Sequence, residues 1–190
     1  GLGDVYKRQA FITTEVGQHQ MWAAQHYKFT KPNRWMTSGG LGTMGFGLPA
    51  DIGAQFGNPD HPVWAVVGDG GFQMTMPELA TAATFKLPIK VLIINNAYLG
   101  MVRQWQEMFF QKRYSAVDYH DNPDFAKLAE AFGATGIRVE RPEEVRPALE
   151  QAKKIEDGPV VIDFIVYEEE NVFPMVPSGA GLDEVIRGMA

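Results

Sequence analysis

The stretch Val63–Gly71, VWAVVGDGG, decides the fold class of this 190-residue chain. It begins with a short apolar run rich in β-branched residues, which is typical of a buried strand. The run ends in glycines that flank a single carboxylate, Asp69. Glycine and aspartate favour turns, so we expect Asp69 to follow the carboxyl end of a buried strand.

Similar apolar runs recur along the chain and alternate with helical patterns. The predicted strands are Phe11–Thr14, Val63–Val67, Val91–Ile94, a weaker Ile137–Val139 and Val160–Val166, and the predicted helices are Gly45–Phe56, Pro77–Phe85, Met101–Phe110, Asp124–Phe132 and Pro142–Ile155. This alternation indicates right-handed βαβ units. Because the strands are nearly continuous apolar runs, both of their faces should be buried. The sequence predicts an α/β fold, a doubly wound parallel sheet with helices on both faces. The polar tail from Glu168 is expected to be a mobile flap.

The composition limits the functions that the chain can have. Hydrophobic residues make up 45% and charged residues 21%, which fits an ordinary globular domain. The net charge is -6 and no basic stripe is visible, which argues against a nucleic-acid partner. No window approaches the roughly 18 consecutive apolar residues of a membrane helix. Cysteine is absent, which excludes disulfides and thiolate metal sites and agrees with a cytoplasmic location.

Polar clusters follow two neighbouring predicted strands. Asp69 follows Val63–Val67, and Asn96 follows Val91–Ile94. In an open parallel sheet, ligands bind beyond the carboxyl ends of the strands. Carboxylate and amide oxygens are hard ligands, suited to Mg²⁺ together with phosphate oxygens. The pair therefore predicts a metal-bridged diphosphate, although each cluster alone also fits an ordinary turn.

Two further segments point to the same edge of the sheet. The glycine-rich stretch 38–47 opens a helix, and such loops expose N–H groups to anions. Its Gly40, Gly42 and Gly45 have the spacing of a dinucleotide motif, but no clear strand precedes it and the acidic residue of a Rossmann domain is missing. The segment 15–20, EVGQHQ, follows the first strand and places hydrogen-bond donors there, including His19. A lone histidine is more often structural than functional, but the position of His19 after a strand end makes a phosphate contact an equally good interpretation.

These motifs together resemble a known family. A GDG followed about thirty residues later by NN is the signature of thiamine-diphosphate enzymes. The segments TEVGQHQMWAA, WMTSGGLGTMGFGLPA, GDGGFQMTMPELATA and INNAYLGMVRQWQEMFF are similar to the C-terminal, diphosphate-binding domain of the catalytic subunit of acetohydroxyacid (acetolactate) synthases. The resemblance runs from Thr13 to Pro177, which is most of the chain.

The resemblance implies roles for individual residues. The implied metal ligands are Asp69, Asn96 and the backbone carbonyl of Tyr98. Cofactor contacts are implied for Gln18, His19, Gly42, Met44, Gly68, Asp69, Gly70, Gly71, Asn96, Tyr98, Gly100 and Met101, with Met44 as an apolar wedge under the bent cofactor. Substrate contacts are implied for Met101, Val102 and Trp105, whereas Arg103 and Gln104 are expected to face solvent. His26, His61 and His120 are expected at the surface or in loops.

The resemblance also implies an activity and partners. The implied reaction condenses pyruvate with a second 2-keto acid, pyruvate or 2-ketobutyrate, with loss of CO₂, in branched-chain amino-acid synthesis. The implied cofactors are thiamine diphosphate and Mg²⁺, with FAD in a middle domain. The activating glutamate comes from an N-terminal domain, so no catalytic residue is expected in this chain. The implied assembly is a homodimer or tetramer with a regulatory small subunit, and no nucleic acid or membrane is involved.

The domain organisation follows from the extent of the resemblance. Residues 1–9 do not run smoothly into the first strand and resemble translated adaptor sequence, so we expect a non-native leader. Residues 10–190 are then the C-terminal domain of a longer three-domain chain, inactive alone. The alternatives are a sister thiamine-diphosphate enzyme, such as a pyruvate oxidase or glyoxylate carboligase, and a non-catalytic binding domain with the same fold.

Overall fold

The computed structural model of the chain describes residues 10–188. Residues 1–9, where the sequence predicts a non-native leader, lie outside the described residues. In chain order the elements are β1 (Phe11–Thr14), α1 (Gln18–His26), β2 (Trp35–Met36), α2 (Gly47–Gly57), β3 (Val63–Gly68), α3 (Asp69–Thr75), α4 (Leu79–Thr84), β4 (Lys90–Asn95), α5 (Gly100–Phe109), α6 (Phe125–Ala131), β5 (Thr135–Val139), α7 (Pro142–Lys153) and β6 (Val160–Ile165). A 3₁₀ turn, Met76–Glu78, joins α3 to α4.

The strands form one six-stranded sheet in the order β2-β1-β3-β4-β6-β5. Every neighbouring pair is parallel, which confirms the predicted parallel α/β sheet. The chain runs from β1 to β2 on one side and returns to β3 on the other side. Such a change of direction leaves a crevice at the carboxyl ends of the two strands, where ligands bind in this class of fold.

The apolar runs are buried on both faces of the sheet. In β3, Ala65 and Val67 pack with Leu79 of α4 and Phe125 of α6 on one face. Trp64 faces the other side, in a second cluster that contains residues of β4, β6 and α7. Since both faces are covered by helices, the continuous apolar character of the strands has a direct structural cause.

Local signals explain where several helices begin. Pro142 lies in the first turn of α7, where its missing N–H costs nothing. The Glu144 side chain accepts from the backbone N–H of Arg141 at 3.2 Å, which satisfies a free donor at the start of the helix. The Asp124 side chain accepts from the N–H of Lys127 at 3.1 Å and caps α6 in the same way.

Three elements were not predicted from the sequence: α1, the short strand β2 and α3. The GDGG stretch on its own fits an ordinary turn, but α3 begins at Asp69 itself. The predicted helix Pro77–Phe85 is correspondingly shorter, since α4 starts at Leu79 after the 3₁₀ turn. Across residues 10–188, no helix combines the length and the apolar character that crossing a membrane requires.

Candidate functional site

A cavity of about 150 Å³ lies at the carboxyl ends of β1, β3 and β4. The register that pairs Gly68 with Ile94 places Asp69 and Asn96 side by side, just beyond the ends of β3 and β4. Most residues singled out in the sequence line this cavity: Gln18, His19, Met44, Gly68, Asp69, Gly70, Gly71, Asn96, Tyr98, Gly100, Met101 and Val102. The fold therefore brings distant motifs together at one point.

Asp69 is the first residue of α3 and is only 2% exposed. Its Oδ2 accepts a hydrogen bond from Nδ2 of Asn122 at 2.7 Å. Burial is the main cause that raises the pKa of Asp69 to about 6, and the neighbouring carboxylate of Asp163 acts in the same direction. A buried carboxylate near a second carboxylate favours a bound cation, because the cation offsets the cost of the negative charge.

Asn96 follows β4 and is held by two neighbours. Its Nδ2 donates to Oε1 of Gln18 at 3.0 Å, and its Oδ1 accepts from the N–H of Tyr98 at 3.3 Å. Between them, Ala97 has a φ of 56°, a left-handed conformation that is uncommon for a residue with a side chain. This turn fixes the amide of Asn96 at the cavity wall and leads the chain into α5.

Two glycines are required by close approach at the cavity. A Cβ on Gly70 would lie 2.7 Å from Cδ2 of Leu99, and one on Gly100 would overlap Oε1 of Gln18 and lie 2.7 Å from Nδ2 of Asn96. Any larger residue at position 100 would displace the side chains that hold Asn96. The glycines therefore allow the ends of β3 and β4 and the start of α5 to meet.

His19 lies at the cavity wall in an uncharged state. Burial lowers the pKa of its imidazole to about 3. Its Nε2 has no hydrogen-bond partner among the described residues, and it lies 3.8 Å from Oε1 of Glu15. A buried ring nitrogen without a partner is unusual in a folded protein, so His19 is available to hydrogen-bond a ligand. Glu15 itself is fully buried, and burial raises the pKa of its carboxyl to about 7.

Two residues singled out in the sequence lie away from the cavity wall. Gly42 belongs to an exposed part of the glycine-rich loop, and its φ of 67° is the left-handed conformation that favours glycine. Trp105 is 39% exposed on α5, where its ring contacts Phe109 edge to face. The roles implied for these two residues remain predictions.

The expectation that Arg103 and Gln104 face solvent is wrong. Their exposures are 1% and 0%. Arg103 pairs with Glu107 at 3.1 Å, and Nε2 of Gln104 donates to the carbonyl of Val172 at 3.0 Å. Arg103 also donates to Oδ1 of Asn171 at 2.8 Å. Since both side chains hydrogen-bond to the tail, Asn171 and Val172 pack on α5 and do not form a free flap.

Asn122 is a site residue that the sequence analysis missed. Its Nδ2 donates to Asp69 and also, at 3.3 Å, to Oδ1 of Asn95, while Asn95 in turn donates to Asp163 at 3.0 Å. These bonds orient the carboxylate of Asp69. No sequence signal pointed to Asn122, because it lies in a polar stretch before a proline and follows no strand.

The arrangement fits a metal and a diphosphate. The described residues contain no cluster of three or more His, Cys, Asp or Glu side chains that would hold a metal by themselves. A metal at this cavity would have Asp69 as its carboxylate ligand and Asn96 as an amide ligand. Mg²⁺ accepts so few protein ligands because water and phosphate oxygens complete its shell. The unpartnered His19 and the close-packed glycines leave donors for the phosphate groups.

Comparisons with known proteins agree with this geometry. Residues 15–164 match the model of the thiamine pyrophosphate (diphosphate) enzyme, C-terminal TPP binding domain. The chain is 53% identical over 188 residues to the acetolactate synthase large subunit of Mycobacterium tuberculosis, covering 97% of this chain and 30% of the relative. It is 47% identical over 189 residues to the isozyme 2 large subunit of Escherichia coli K12, covering 100% of this chain and 34% of the relative.

The chain belongs to the family of C-terminal, thiamine pyrophosphate-binding domains of thiamine pyrophosphate enzymes. It spans about a third of the length of the curated relatives that it matches. The parallel six-stranded sheet is consistent with such a domain. The resemblance read from the sequence motifs is thereby confirmed.

Proposed function

We propose that this chain supplies the diphosphate and metal site of an acetolactate synthase. The proposed reaction joins pyruvate to a second 2-keto acid, pyruvate or 2-ketobutyrate, with loss of CO₂, in the biosynthesis of isoleucine and valine. The observation that carries the proposal is the meeting of Asp69, Asn96 and His19 at one cavity, together with the similarity to acetolactate synthase large subunits.

Different residues at the cavity would bind the metal, the phosphate groups and the organic part of the cofactor. Asp69, Asn96 and the carbonyl of Tyr98 would hold Mg²⁺, which in turn would hold the diphosphate. His19 and the backbone at Gly70 would donate to phosphate oxygens, and Met44 would pack against the organic part of the cofactor. The cofactor, when bound, provides the electron sink that allows a 2-keto acid to lose CO₂. The protein's contribution is to orient the cofactor and to keep water away from the reacting atoms.

The substrate side of the proposal rests on α5. Met101 and Val102 line the cavity, and Trp105 lies one turn further along the helix. We assign these three residues to contact with the second 2-keto acid. Val102 is 47% exposed and Trp105 is 39% exposed in this chain, so both are accessible to a substrate and to a covering domain.

Several parts of the proposed enzyme lie outside this chain. The relatives are about three times as long, which leaves room for the domain that supplies the activating glutamate and for a domain that binds FAD. We propose that the chain works as the C-terminal domain of such a protein, assembled as a homodimer or tetramer with a regulatory small subunit, in the cytoplasm. The 190-residue chain alone is then inactive, and measurable acetolactate formation by it would contradict this part of the proposal.

Product analysis on the complete protein tests the proposed reaction. The protein is supplied with pyruvate, Mg²⁺, thiamine diphosphate and FAD, and products are identified with and without 2-ketobutyrate. A parallel reaction contains glyoxylate in place of pyruvate. We expect acetolactate, and acetohydroxybutyrate when 2-ketobutyrate is added. Acetaldehyde or acetyl phosphate from pyruvate would assign the chain to a sister enzyme, as would tartronate semialdehyde from glyoxylate, and would overturn the synthase assignment. A matched Asp60→Asn variant serves as the control for substitutions at Asp69, because Asp60 is exposed and precedes the amino end of β3, whereas Asp69 follows its carboxyl end.

A further inference from the structure

A buried carboxylate outside the proposed metal set lies directly beneath the cavity. Glu15 follows β1 and is 0% exposed. Its Oε1 accepts from the backbone N–H of Gly68 at 3.1 Å, and its Oε2 accepts from the N–H of Gly45. Gly68 ends β3 next to Asp69, and Gly45 follows Met44 in the glycine-rich loop. One side chain therefore hydrogen-bonds to two of the segments that form the cavity.

The space for this carboxylate exists because residue 71 is glycine. A Cβ on Gly71 would overlap both carboxylate oxygens and the carboxyl carbon of Glu15. Gly71 lies in the first turn of α3, where a side chain is normally tolerated and alanine is favoured over glycine. The close approach of Glu15 explains why glycine occupies this helical position.

The loop that Glu15 holds is constrained at a second point. Oγ1 of Thr75, at the end of α3, donates to the carbonyl of Gly45 at 2.9 Å. Gly45 has a φ of 81°, so its two peptide groups are oriented by a turn that most residues avoid. With Thr75 on one side and Glu15 on the other, the position of Met44 relative to Asp69 is fixed by side-chain hydrogen bonds to the backbone.

We propose that Glu15 is a positioning residue for the cofactor: it fixes the loop that carries Met44 against the strand end that carries Asp69, and it requires glycine at position 71. The inference rests on the proposed function, because Met44 and Asp69 are assigned to opposite ends of the cofactor, its organic part and its diphosphate. Loss of either bond lets the two ends of the site move apart. The consequence falls on cofactor affinity, since Glu15 itself lies beneath the cavity floor.

The test compares Glu15→Gln, Glu15→Asp, Glu15→Ala, Gly71→Ala and the Glu15→Ala/Gly71→Ala double variant in the complete protein. Gly53→Ala is the matched control, because Gly53 is helical and no atom lies within 4 Å of the added Cβ. The dissociation constant for thiamine diphosphate is measured at saturating Mg²⁺, and kcat is measured at saturating cofactor. Amide hydrogen exchange of peptides that contain Gly45 and Gly68 is measured without cofactor.

We expect Glu15→Gln and Gly71→Ala each to weaken cofactor binding by roughly tenfold or more, because each leaves a buried backbone donor without its acceptor. Glu15→Asp keeps the carboxyl group but is one methylene shorter, so its affinity should fall between those of the wild type and Glu15→Gln. The loss should appear in the dissociation constant for thiamine diphosphate and not in kcat at saturating cofactor. The Gly71→Ala change should add little in the Glu15→Ala background, since the group that it collides with is gone.

The hydrogen-exchange measurement separates this inference from the proposed function. Faster exchange at Gly45 and Gly68 in the Glu15 variants would show that Glu15 fixes the loop to the strand end, whether or not the wild type binds thiamine diphosphate. Failure of the wild type to bind thiamine diphosphate would instead overturn the proposed function. Unchanged exchange in Glu15→Gln would overturn the inference. So would cofactor affinity equal to that of the wild type, or fully additive losses in the double variant.

Discussion

Replacing Asp69 by asparagine should stabilise the cofactor-free fold while it abolishes the proposed metal site. The side chain is 2% exposed, and burial raises its pKa from 3.8 to about 6. Asparagine has nearly the same shape and its amide oxygen accepts the hydrogen bond from Asn122. The substitution therefore removes a buried charge and keeps the bond from Asn122, while the NH₂ group of asparagine cannot accept the bond that the carboxylate accepts from the N–H of Gly70.

The magnitude follows from the linkage between the pKa and stability. The folded-state pKa of Asp69 lies above the unfolded value, so the unfolded chain ionises first as the pH rises. The wild type therefore loses stability between pH 3.8 and about pH 6. A shift of about two pKa units at about 1.36 kcal/mol each gives a cost of about 3 kcal/mol above that range. Asp69→Asn does not carry this cost, so its stability relative to the wild type should rise by about 3 kcal/mol between pH 4 and pH 8.

Urea unfolding of the cofactor-free chain measures this difference at both pH values, with Asp60→Asn as the control for the loss of an exposed aspartate. Calorimetry on the complete protein measures thiamine diphosphate binding with Mg²⁺. We expect Asp69→Asn to be more stable only at the higher pH and to bind the cofactor at least about a hundredfold more weakly, since a buried ligand to a charged group contributes several kcal/mol. A variant whose stability relative to the wild type does not rise between the two pH values, or that binds the cofactor normally, would refute the reasoning.

The structure also predicts the effects of three further substitutions, two at the cavity and one in the core. Burial lowers the pKa of His19 to about 3, below its unfolded value of 6.5, so its contribution to stability is present above pH 6.5 and is lost as the pH falls. The free energy of unfolding should drop by about 2 kcal/mol between pH 6.5 and pH 5, and His19→Asn should lack this drop in urea titrations; equal pH slopes would contradict it. Gly100→Ala should weaken cofactor binding by roughly tenfold or more, because its Cβ overlaps Gln18, whereas Gly158→Ala, with no atom within 4 Å, should bind like the wild type. Leu79→Ala should lower the free energy of unfolding by about 2–5 kcal/mol, since Leu79 is fully buried; a loss below about 1 kcal/mol would show that the core is looser than described.

The sequence predicted the strands and helices whose apolar residues form a continuous run or recur at a regular spacing. The runs at Val63 and Val91 are apolar for their whole length, because both faces of a central parallel strand are covered. The short β2 pairs only at Trp35 and Met36, which is too short for any pattern to emerge. The helix Gln18–His26 mixes glutamines and histidines with Met21 and Trp22 and shows no apolar stripe, so tertiary contacts determine its position.

Site residues that directly follow a strand could be predicted from the sequence, whereas those positioned by packing could not. Asp69 and Asn96 follow two strands, so their convergence could be predicted from the parallel topology. Asn122 hydrogen-bonds to Asp69 from a loop 53 residues further along the sequence. Gln104 was misassigned because a polar residue on a helix is normally exposed, whereas here it hydrogen-bonds to Gln18 and to the tail.

In the proposed site, Asp69 and Asn96 hold a metal that holds a diphosphate. Calorimetric titration of the complete protein with thiamine diphosphate tests it most directly, with Mg²⁺ and with the metal removed by a chelator, and with thiamine monophosphate as the comparison ligand. We expect tight binding only when Mg²⁺ and the diphosphate are both present. Equal binding of thiamine diphosphate after removal of the metal, or equal binding of the monophosphate, would contradict the account.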